Sequence, residues 1–316
     1  MAHSTLPITN QAETDRSTLL SLFVSLRPSQ WTKNLIVFAA LLFGERGGAP
    51  AFLDPQAITR ALAAFAIFCG LSGVVYLIND VADREKDRLH PLKRRRPIAA
   101  GAVSPALALG TAGLIAAGTL LGAYALRPAF AVVSLAYLGL LALYSGPLKH
   151  VVIIDVLTIA IGFVLRAVAG AVAIDVPISH WLLILTILLA LFLALSKRRH
   201  ELVMLADGAT GHRPILGEYS PYLLDQMIAV VTASTLITYV IYTVSPETVQ
   251  KFKTDYLGFT LVFPLYGIFR YLYLVHQKEG GGSPSDMLLN DRPLLACVAL
   301  WAVSVAGIIY GTSLIT

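Results

Sequence analysis

Acidic side chains gather in one short segment, residues 79–87. Asn79, Asp83 and Asp87 are spaced four residues apart, and Asp80 precedes Asp83 by three. If a helix continues through this segment, the spacing places these side chains on one face. Mg²⁺ typically binds one or two carboxylates and completes its shell with phosphate and water. The segment therefore predicts a magnesium–phosphate site at these four residues. The alternative is a solvated helix end, neutralised by the interleaved arginines and lysines.

Four consecutive cations follow, in the run Lys93–Arg96 between Pro91 and Pro97. The flanking prolines restrict the backbone and make this a rigid basic loop. Because Lys and Arg are the usual partners of phosphate, Lys93, Arg94 and Arg96 are candidate phosphate ligands beside the acids. The alternative is a loop that sets membrane orientation and attracts anionic headgroups, and the two roles are compatible.

Other polar candidates lie at the ends of apolar stretches or inside them. A Gly-Pro pair follows Tyr144 and predicts a short loop that carries Lys149 and ends near Asp155. Asp155 could also cap the helix that follows. Arg166 lies deep inside an apolar stretch, where an Arg almost always faces a wet cavity or a buried polar partner. Small residues around Arg166, from Gly162 to 173, predict close helix packing there.

Membrane helices are the elements that must position these residues. The chain of 316 residues is 56% hydrophobic and 14% charged, with a mean hydropathy of +0.72, whereas soluble domains are about 25% charged. Its apolar runs are continuous and do not alternate, which favours helices over a barrel. The predicted spans are residues 33–46, 57–79, 105–125, 128–145, 152–174, 181–197, 223–245, 257–276 and 292–314.

Basic residues are concentrated in alternate loops, on the side that carries the acidic segment. The positive-inside rule therefore predicts a multi-pass protein of the cell membrane, with the polar site facing the cytoplasm and the C-terminus outside. Residues 1–24 are polar and predict a disordered cytoplasmic tail, and residues 25–316 form the nine-helix transmembrane domain. Cys69 and Cys297 fall inside apolar spans and indicate buried small side chains.

The acidic pattern Asn79-Asp80-x-x-Asp83-x-x-x-Asp87 resembles the first aspartate motif of the UbiA-type intramembrane prenyltransferase superfamily. The flanking segments 27–34 and 90–101 resemble, more specifically, its decaprenyl-phosphate phosphoribosyltransferase branch. The resemblance runs from about residue 25 to the end of the chain. It implies nine helices around a central cavity open to the cytoplasm. It also implies Mg²⁺-dependent transfer of 5-phosphoribosyl from phosphoribosyl pyrophosphate to a polyprenyl phosphate, with release of pyrophosphate, which serves actinobacterial cell wall biosynthesis.

Ordinary members of the superfamily carry a second Asp-x-x-x-Asp motif after the sixth span, whereas residues 196–201 here contain one acid and three cations. The branch has a similar run, which implies roles for Lys197, Arg198 and Glu201. A helix end with orienting cations is the alternative. The predicted catalytic residues are Asp80, Asp83, Lys149 and Lys197. The predicted substrate-binding residues are Lys33, Asn34, Lys93, Arg94, Arg96, Tyr144, Lys149, Arg166, Lys197 and Arg198. The predicted metal ligands are Asn79, Asp80, Asp83, Asp87, Asp155 and Glu201.

The predicted partners are phosphoribosyl pyrophosphate, a polyprenyl phosphate and membrane lipids, with no nucleic acid, and a homo-oligomer is left open. Two rival functions remain. One is a sister enzyme that moves a prenyl group from its diphosphate to an aromatic or other acceptor. The other is a transporter with an acidic cation site, but transporter sites usually lie near the bilayer midplane and these acids cluster at one membrane face.

Overall fold

The computed structural model describes residues 18–91, 93–204, 214–278, 282 and 284–315, and it is helical almost throughout. Eight helices in this part of the chain are long and apolar enough to cross a membrane. They are Pro55–Ala82, Pro105–Leu126, Pro128–Ser145, Ile154–Ile174, His180–Met204, Pro221–Val244, Tyr256–Gln277 and Arg292–Gly311. The α-helices are α1 (Thr18–Ser25), α2 (Ala39–Phe43), α3 (Pro55–Ala82), α4 (Arg84–Leu89), α5 (Pro105–Leu126), α6 (Pro128–Ser145), α7 (Ile154–Ile174), α8 (His180–Met204), α9 (Pro221–Val244), α10 (Pro246–Phe252), α11 (Val262–Gln277), α12 (Pro284–Asn290) and α13 (Arg292–Ile315). The 3-10 helices are Pro28–Phe38, Ala51–Leu53, Lys93–Arg95, Leu148–His150, Pro214–Glu218 and Tyr256–Leu261, and strands β1 (Glu45–Arg46) and β2 (Ala49–Pro50) form a short antiparallel hairpin.

Several helices start where a capping side chain meets proline. A Ser or Asp side chain accepts a backbone N–H of the first turn, and the next residue is a proline whose missing N–H costs nothing there. This pattern fixes the starts of α3, α5, α9 and α10, at Asp54-Pro55, Ser104-Pro105, Ser220-Pro221 and Ser245-Pro246. The spans predicted at residues 57–79, 105–125 and 223–245 begin within two residues of the observed starts of α3, α5 and α9, whereas the short helix α10 was not predicted.

The first predicted span, 33–46, is the 3-10 helix Pro28–Phe38 followed by α2, and it is not one of the eight long helices. Arg27 pairs with Asp80 near the end of α3, whereas Asp54 caps the start of α3. The chain between them therefore runs alongside α3 from one end to the other, about 39 Å at 1.5 Å per residue. This course favours a ninth crossing, which stays a prediction.

Helix α7 lies at the centre of the packing. It contributes Ala171 and Ile174 to a buried cluster with Phe68 of α3, and Val156 to a second cluster with Phe192 of α8. The helix also meets the 3-10 helix Pro28–Phe38 backbone to backbone, because a methyl group on Gly170 would lie 2.0 Å from the Val37 carbonyl oxygen. The close packing predicted around Arg166 is therefore present, and only glycine permits it at residue 170.

The predicted disordered tail needs one correction. Residues 18–25 form helix α1, whose Ser21 and Ser25 are buried, so order begins seven residues before the expected boundary at 24/25. The reason is that this segment is apolar on the face that packs against α3, where Leu22 and Leu26 contact the cluster around Leu77. Residues 1–17 lie outside the described part of the chain.

Candidate active site

Asp80 and Asp87 form the first acidic pair, and both carboxylates are buried. One guanidinium nitrogen of Arg96, Nη1, donates to Asp80 Oδ1 at 3.1 Å and to Asp87 Oδ2 at 2.6 Å. Arg27 also pairs with Asp80 and lies over the Tyr76 ring, 4.7 Å from its centroid. The two carboxylates thus converge on one cationic centre, and two arginines balance their charge.

Helical spacing across a short break between α3 and α4 produces this convergence. Helix α3 ends at Ala82, Asp83 adopts a non-helical conformation, and α4 begins at Arg84. The backbone bonds Asp83 N–H to Asn79 O and Asp87 N–H to Asp83 O are both 2.8 Å long, so the chain keeps nearly helical spacing across the break. The expected common face therefore holds for the first acidic pair, with Asn79 and Asp83 half-buried beside it.

Asp155 and Glu201 form the second acidic pair, and Arg198 of α8 lies between them. Arg198 Nε donates to Asp155 Oδ2 at 2.9 Å, and its Nη1 donates to Glu201 Oε2 at 2.7 Å. Its Nη2 donates to the Tyr144 hydroxyl at 3.3 Å. Arg198 is only 2% exposed. All three of its nitrogens face protein acceptors, and its predicted role as a phosphate ligand stays a prediction.

Tyr219 completes the second acidic pair from the segment before α9. Its hydroxyl donates to Asp155 Oδ1 at 2.7 Å and accepts the Ile153 backbone N–H at 2.7 Å. Ile153 has a φ of 68°, a strained conformation for a β-branched residue. Burial raises the pKa of Tyr219 to about 12, with a further contribution from Asp155. The hydroxyl therefore keeps its proton and stays a donor across the physiological pH range.

Replacing Tyr219 with phenylalanine tests this arrangement. Tyr219→Phe should lower the free energy of unfolding by about 1–3 kcal/mol. The reason is that it leaves the buried Asp155 Oδ1 and the backbone N–H of Ile153 without this partner. Thermal unfolding in detergent measures the change. The matched control is Tyr222→Phe, since Tyr222 is 74% exposed. Equal melting temperatures for the two variants would contradict the role assigned to the Tyr219 hydroxyl.

Arg166 anchors a buried network inside the helix bundle. Its guanidinium donates to Asn34 Oδ1 at 2.8 Å, to the Tyr137 hydroxyl at 2.6 Å and to the Gly162 carbonyl at 3.1 Å. Asn34 is 1% exposed and also reaches Ser72 Oγ at 3.4 Å. Asn34 and Arg166 thus bond to each other and to buried protein groups, and their predicted substrate contacts stay predictions. The sequence predicts that Arg166 faces either a wet cavity or a buried polar partner, and in the structure it bonds to buried polar partners.

Removal of this arginine should destabilise the bundle. Arg166→Met should cost about 2 kcal/mol, because three hydrogen bonds inside a membrane protein are lost, each worth about 0.6 kcal/mol on average. The measurement is the thermal unfolding midpoint in detergent. Arg60→Met near the start of α3 is the control and should change the midpoint little. An unchanged midpoint for Arg166→Met would contradict the structural role of the network.

Cations from separate elements converge between the two acidic pairs. Lys33, half-buried in the first 3-10 helix, lies close enough to Lys197, Arg166 and Arg27 to be repelled by each, and the Asp286 carboxylate attracts it. Like charges gathered in this way favour anion binding, because an anion relieves their mutual repulsion. The region bounded by Arg27, Lys33, Arg166 and Lys197 is called the cation cluster below.

The other predicted residues are placed less tightly. Lys93 and Arg94 are exposed on their 3-10 helix, whereas Arg96 of the same run turns into the first acidic pair. Lys149 is half-buried on the 3-10 helix Leu148–His150. Their predicted phosphate contacts stay predictions. Sequence reasoning missed Arg27 and Tyr219 as site residues, although Arg27 opens one of the quoted motifs.

Among the residues that the structure describes, no three His, Cys, Asp or Glu side chains converge closely enough to form a metal site. The first acidic pair nevertheless surrounds a cationic nitrogen with carboxylate oxygens, which are the ligands that Mg²⁺ prefers. A metal held there would complete its shell with phosphate oxygens and water. The geometry therefore suits a divalent metal in the position between the carboxylates that Arg96 Nη1 occupies.

Comparison with known proteins decides the family. The sequence model described as the "UbiA prenyltransferase family" matches residues 34–290. The chain belongs to this family. Its helical membrane fold and its classification as a transferase follow the expectation from sequence, and the UbiA match covers both acidic pairs and, of the cation cluster, Arg166 and Lys197.

Relatives with names resemble this UbiA-family chain along most of its length. "Decaprenyl-phosphate phosphoribosyltransferase" of Mycolicibacterium smegmatis is 32% identical over 298 residues, covering 92% of each chain. The protein of the same name from Corynebacterium glutamicum is 32% identical over 288 residues, covering 90% of this chain and 86% of that protein. Both names match the branch indicated by the sequence motifs.

Solved structures show the same fold at lower identity. A UbiA homolog from Archaeoglobus fulgidus bound to GPP and Mg²⁺ has a TM-score of 0.69 and 20% identity, covering 92% of this chain and 99% of that chain. A digeranylgeranylglyceryl phosphate synthase structure has a TM-score of 0.63 and 15% identity, covering 93% and 99%. At these identities the likeness establishes the UbiA fold alone.

Proposed function

We propose that this protein transfers 5-phosphoribosyl from phosphoribosyl pyrophosphate to a polyprenyl phosphate, with release of pyrophosphate and dependence on Mg²⁺. Relatives of the same length carry the name of that activity. The observation that carries the proposal is the cation cluster, in which Lys33 is repelled by Arg27 beside the first acidic pair and by Lys197 beside the second. Both substrates are phosphorylated, so the reaction needs more cationic groups than the transfer of a prenyl group to a neutral acceptor.

The first acidic pair supports the metal part of the proposal. Asp80 and Asp87 would hold Mg²⁺, with Asn79 and Asp83 as further ligands, where Arg96 Nη1 now lies between the carboxylates. When bound, the ion would neutralise the negative charge that develops on the departing pyrophosphate. Arg27 and Arg96 would then be free to bind phosphate oxygens, because both side chains are partly exposed.

The side chains of this protein would act by binding and orienting charges. The bond between ribose C1 and the pyrophosphate oxygen breaks, and its electron pair leaves with pyrophosphate. A new bond forms from C1 to an oxygen of the acceptor phosphate, which is already anionic near neutral pH. No proton must therefore be removed, and no general base is required. Lys33, Lys149 and Lys197 would hold the phosphates in line and stabilise the transition state electrostatically.

The membrane would supply the second substrate. The proposed site lies at the ends of spanning helices, and we assign it to the cytoplasmic face because the exposed cations of the 3-10 helix Lys93–Arg95 lie on the same side. The polyprenyl chain would lie against the apolar helix surfaces within the bilayer. The C-terminus would then lie outside, with the predicted ninth crossing.

A transfer assay tests the proposal against its main rival. Purified protein receives Mg²⁺, polyprenyl phosphate and phosphoribosyl pyrophosphate labelled in the ribose. We expect labelled lipid and one pyrophosphate for each lipid formed. A parallel assay supplies prenyl diphosphate and 4-hydroxybenzoate. If the first assay forms no labelled lipid and the second forms prenylated acceptor, the result would favour the sister enzyme. If neither assay shows product, both the proposed phosphoribosyl transfer and the rival prenyl transfer would be overturned.

A further inference from the structure

The two acidic pairs differ in the arginine that bridges them. Arg96, which bridges the first pair, is 30% exposed, and Arg27 beside it is 27% exposed. Arg198, which bridges the second pair, is 2% exposed. Arg96 lies in a turn after a short 3-10 helix, whereas Arg198 lies within the long helix α8. The side chain of Arg96 can therefore move into solvent, and that of Arg198 has no such space.

Both oxygens of the Asp155 carboxylate accept hydrogen bonds from buried donors. Its Oδ2 accepts from Arg198 at 2.9 Å, and its Oδ1 accepts from the Tyr219 hydroxyl at 2.7 Å. Asp155 is 0% exposed, and Arg198 and Tyr219 are 2% and 5% exposed. A divalent cation at this carboxylate would compete with donors that have no access to water, and a displaced donor would lose its partner.

Burial of the bridging arginine points the same way. Arg198 bridges Asp155 and Glu201 at 2.9 and 2.7 Å and is 2% exposed. A divalent cation at Asp155 would compete with this guanidinium, which would have to leave its carboxylates without reaching water. Arg96, which bridges the first acidic pair, is 30% exposed and can exchange its carboxylates for water.

We infer that the guanidinium of Arg198 permanently takes the position of a cation in the second acidic pair. The pair Asp155–Glu201 therefore binds no divalent metal, and the first acidic pair holds the single metal bound by protein side chains. The inference rests on the proposed metal site at Asp80 and Asp87. It replaces the predicted metal ligands Asp155 and Glu201 with a fixed internal ion pair, so phosphates near Lys197 are held by direct contact with lysine.

Counting bound Mn²⁺ tests the inference without an activity assay. Mn²⁺ binding to the full chain in detergent, without substrate, is measured by electron paramagnetic resonance of the free ion. We expect one Mn²⁺ per chain for the wild type, and the same count for Asp155→Asn and Glu201→Gln. Arg198→Met opens the second acidic pair and should raise the count to two. Arg199→Met, one residue further along α8, is the control and should leave it at one.

The variants distinguish failure of the inference about the second acidic pair from failure of the metal site in the proposed function. Loss of Mn²⁺ in Asp155→Asn or Glu201→Gln would overturn the inference, and so would a count that stays at one in a folded Arg198→Met. If Arg198→Met does not fold, the two carboxylate variants decide the matter alone. Asp80→Asn should remove the single ion. Retention of Mn²⁺ in Asp80→Asn would instead overturn the metal site of the proposed function.

Discussion

Asp80→Asn should lower the transfer rate by about 10³-fold while the protein still folds and inserts. The substitution keeps the shape of the side chain and removes one of the two charges that would anchor the metal and, through it, the departing pyrophosphate. Preorganised electrostatic groups of this kind are worth about 10²–10³-fold each. Folding should survive, because Arg27 and Arg96 are partly exposed and can turn to solvent. The measurement is the turnover number with saturating Mg²⁺ and both substrates.

The control for this variant is Asp225→Asn. Asp225 also pairs with an arginine, accepting from Arg199 Nε at 2.5 Å, but it lies outside the cation cluster. Its substitution should leave turnover within a few-fold of the wild type. Full activity in Asp80→Asn, or equal losses in the two variants, would contradict the catalytic assignment of the first acidic pair.

Arg198→Met should be the most destabilising single substitution in the site. It leaves the buried carboxylate of Asp155 and the partly buried carboxylate of Glu201 without their shared cation. Removing one partner of a buried ion pair costs about 3–5 kcal/mol, because the remaining charge is uncompensated. The midpoint of thermal unfolding in detergent with a chelator should fall accordingly. Added Mn²⁺ should restore part of the loss in this variant.

The neighbouring arginine provides the comparison. Arg199 is 17% exposed and its partner Asp225 is 37% exposed, so their ion pair is largely screened by solvent. Arg199→Met should therefore cost less than about 1 kcal/mol. If the Arg198 and Arg199 variants had similar unfolding midpoints, burial of the Arg198 ion pair would not determine its contribution to the free energy of unfolding. That result would contradict the prediction.

The transmembrane elements could be predicted because lipid imposes strict conditions on the backbone. A span has to satisfy its own hydrogen bonds over about 20 apolar residues, and proline with a capping side chain marks several starts. The span predicted at 128–145 coincides with α6, Pro128–Ser145. The 3-10 helix Pro28–Phe38 could not be predicted, because its geometry depends on the backbone contact with Gly170, far along the chain.

The sequence predicts which acidic and basic residues belong to the site better than it predicts which of them form ion pairs. The spacing of the acids predicted that Asp80 and Asp87 share a face, and they do. Which cation meets which acid depends on the tertiary fold: Arg27 and Asp80 are 53 residues apart, and Arg198 and Asp155 are 43 apart. A local clue existed in Arg198 and Glu201, whose i,i+3 spacing favours an ion pair on one helix. The sequence predicts phosphate contacts for both Lys197 and Arg198, because it does not show which side of α8 is buried.

A structure with phosphoribosyl pyrophosphate and Mg²⁺ bound would test the central claim most directly. We expect a single protein-bound ion between Asp80, Asp87 and the diphosphate, with Arg27 and Arg96 moved onto phosphate oxygens and Arg198 unmoved between Asp155 and Glu201. A diphosphate bound away from the end of α3, with no ion at Asp80 or Asp87, would contradict it.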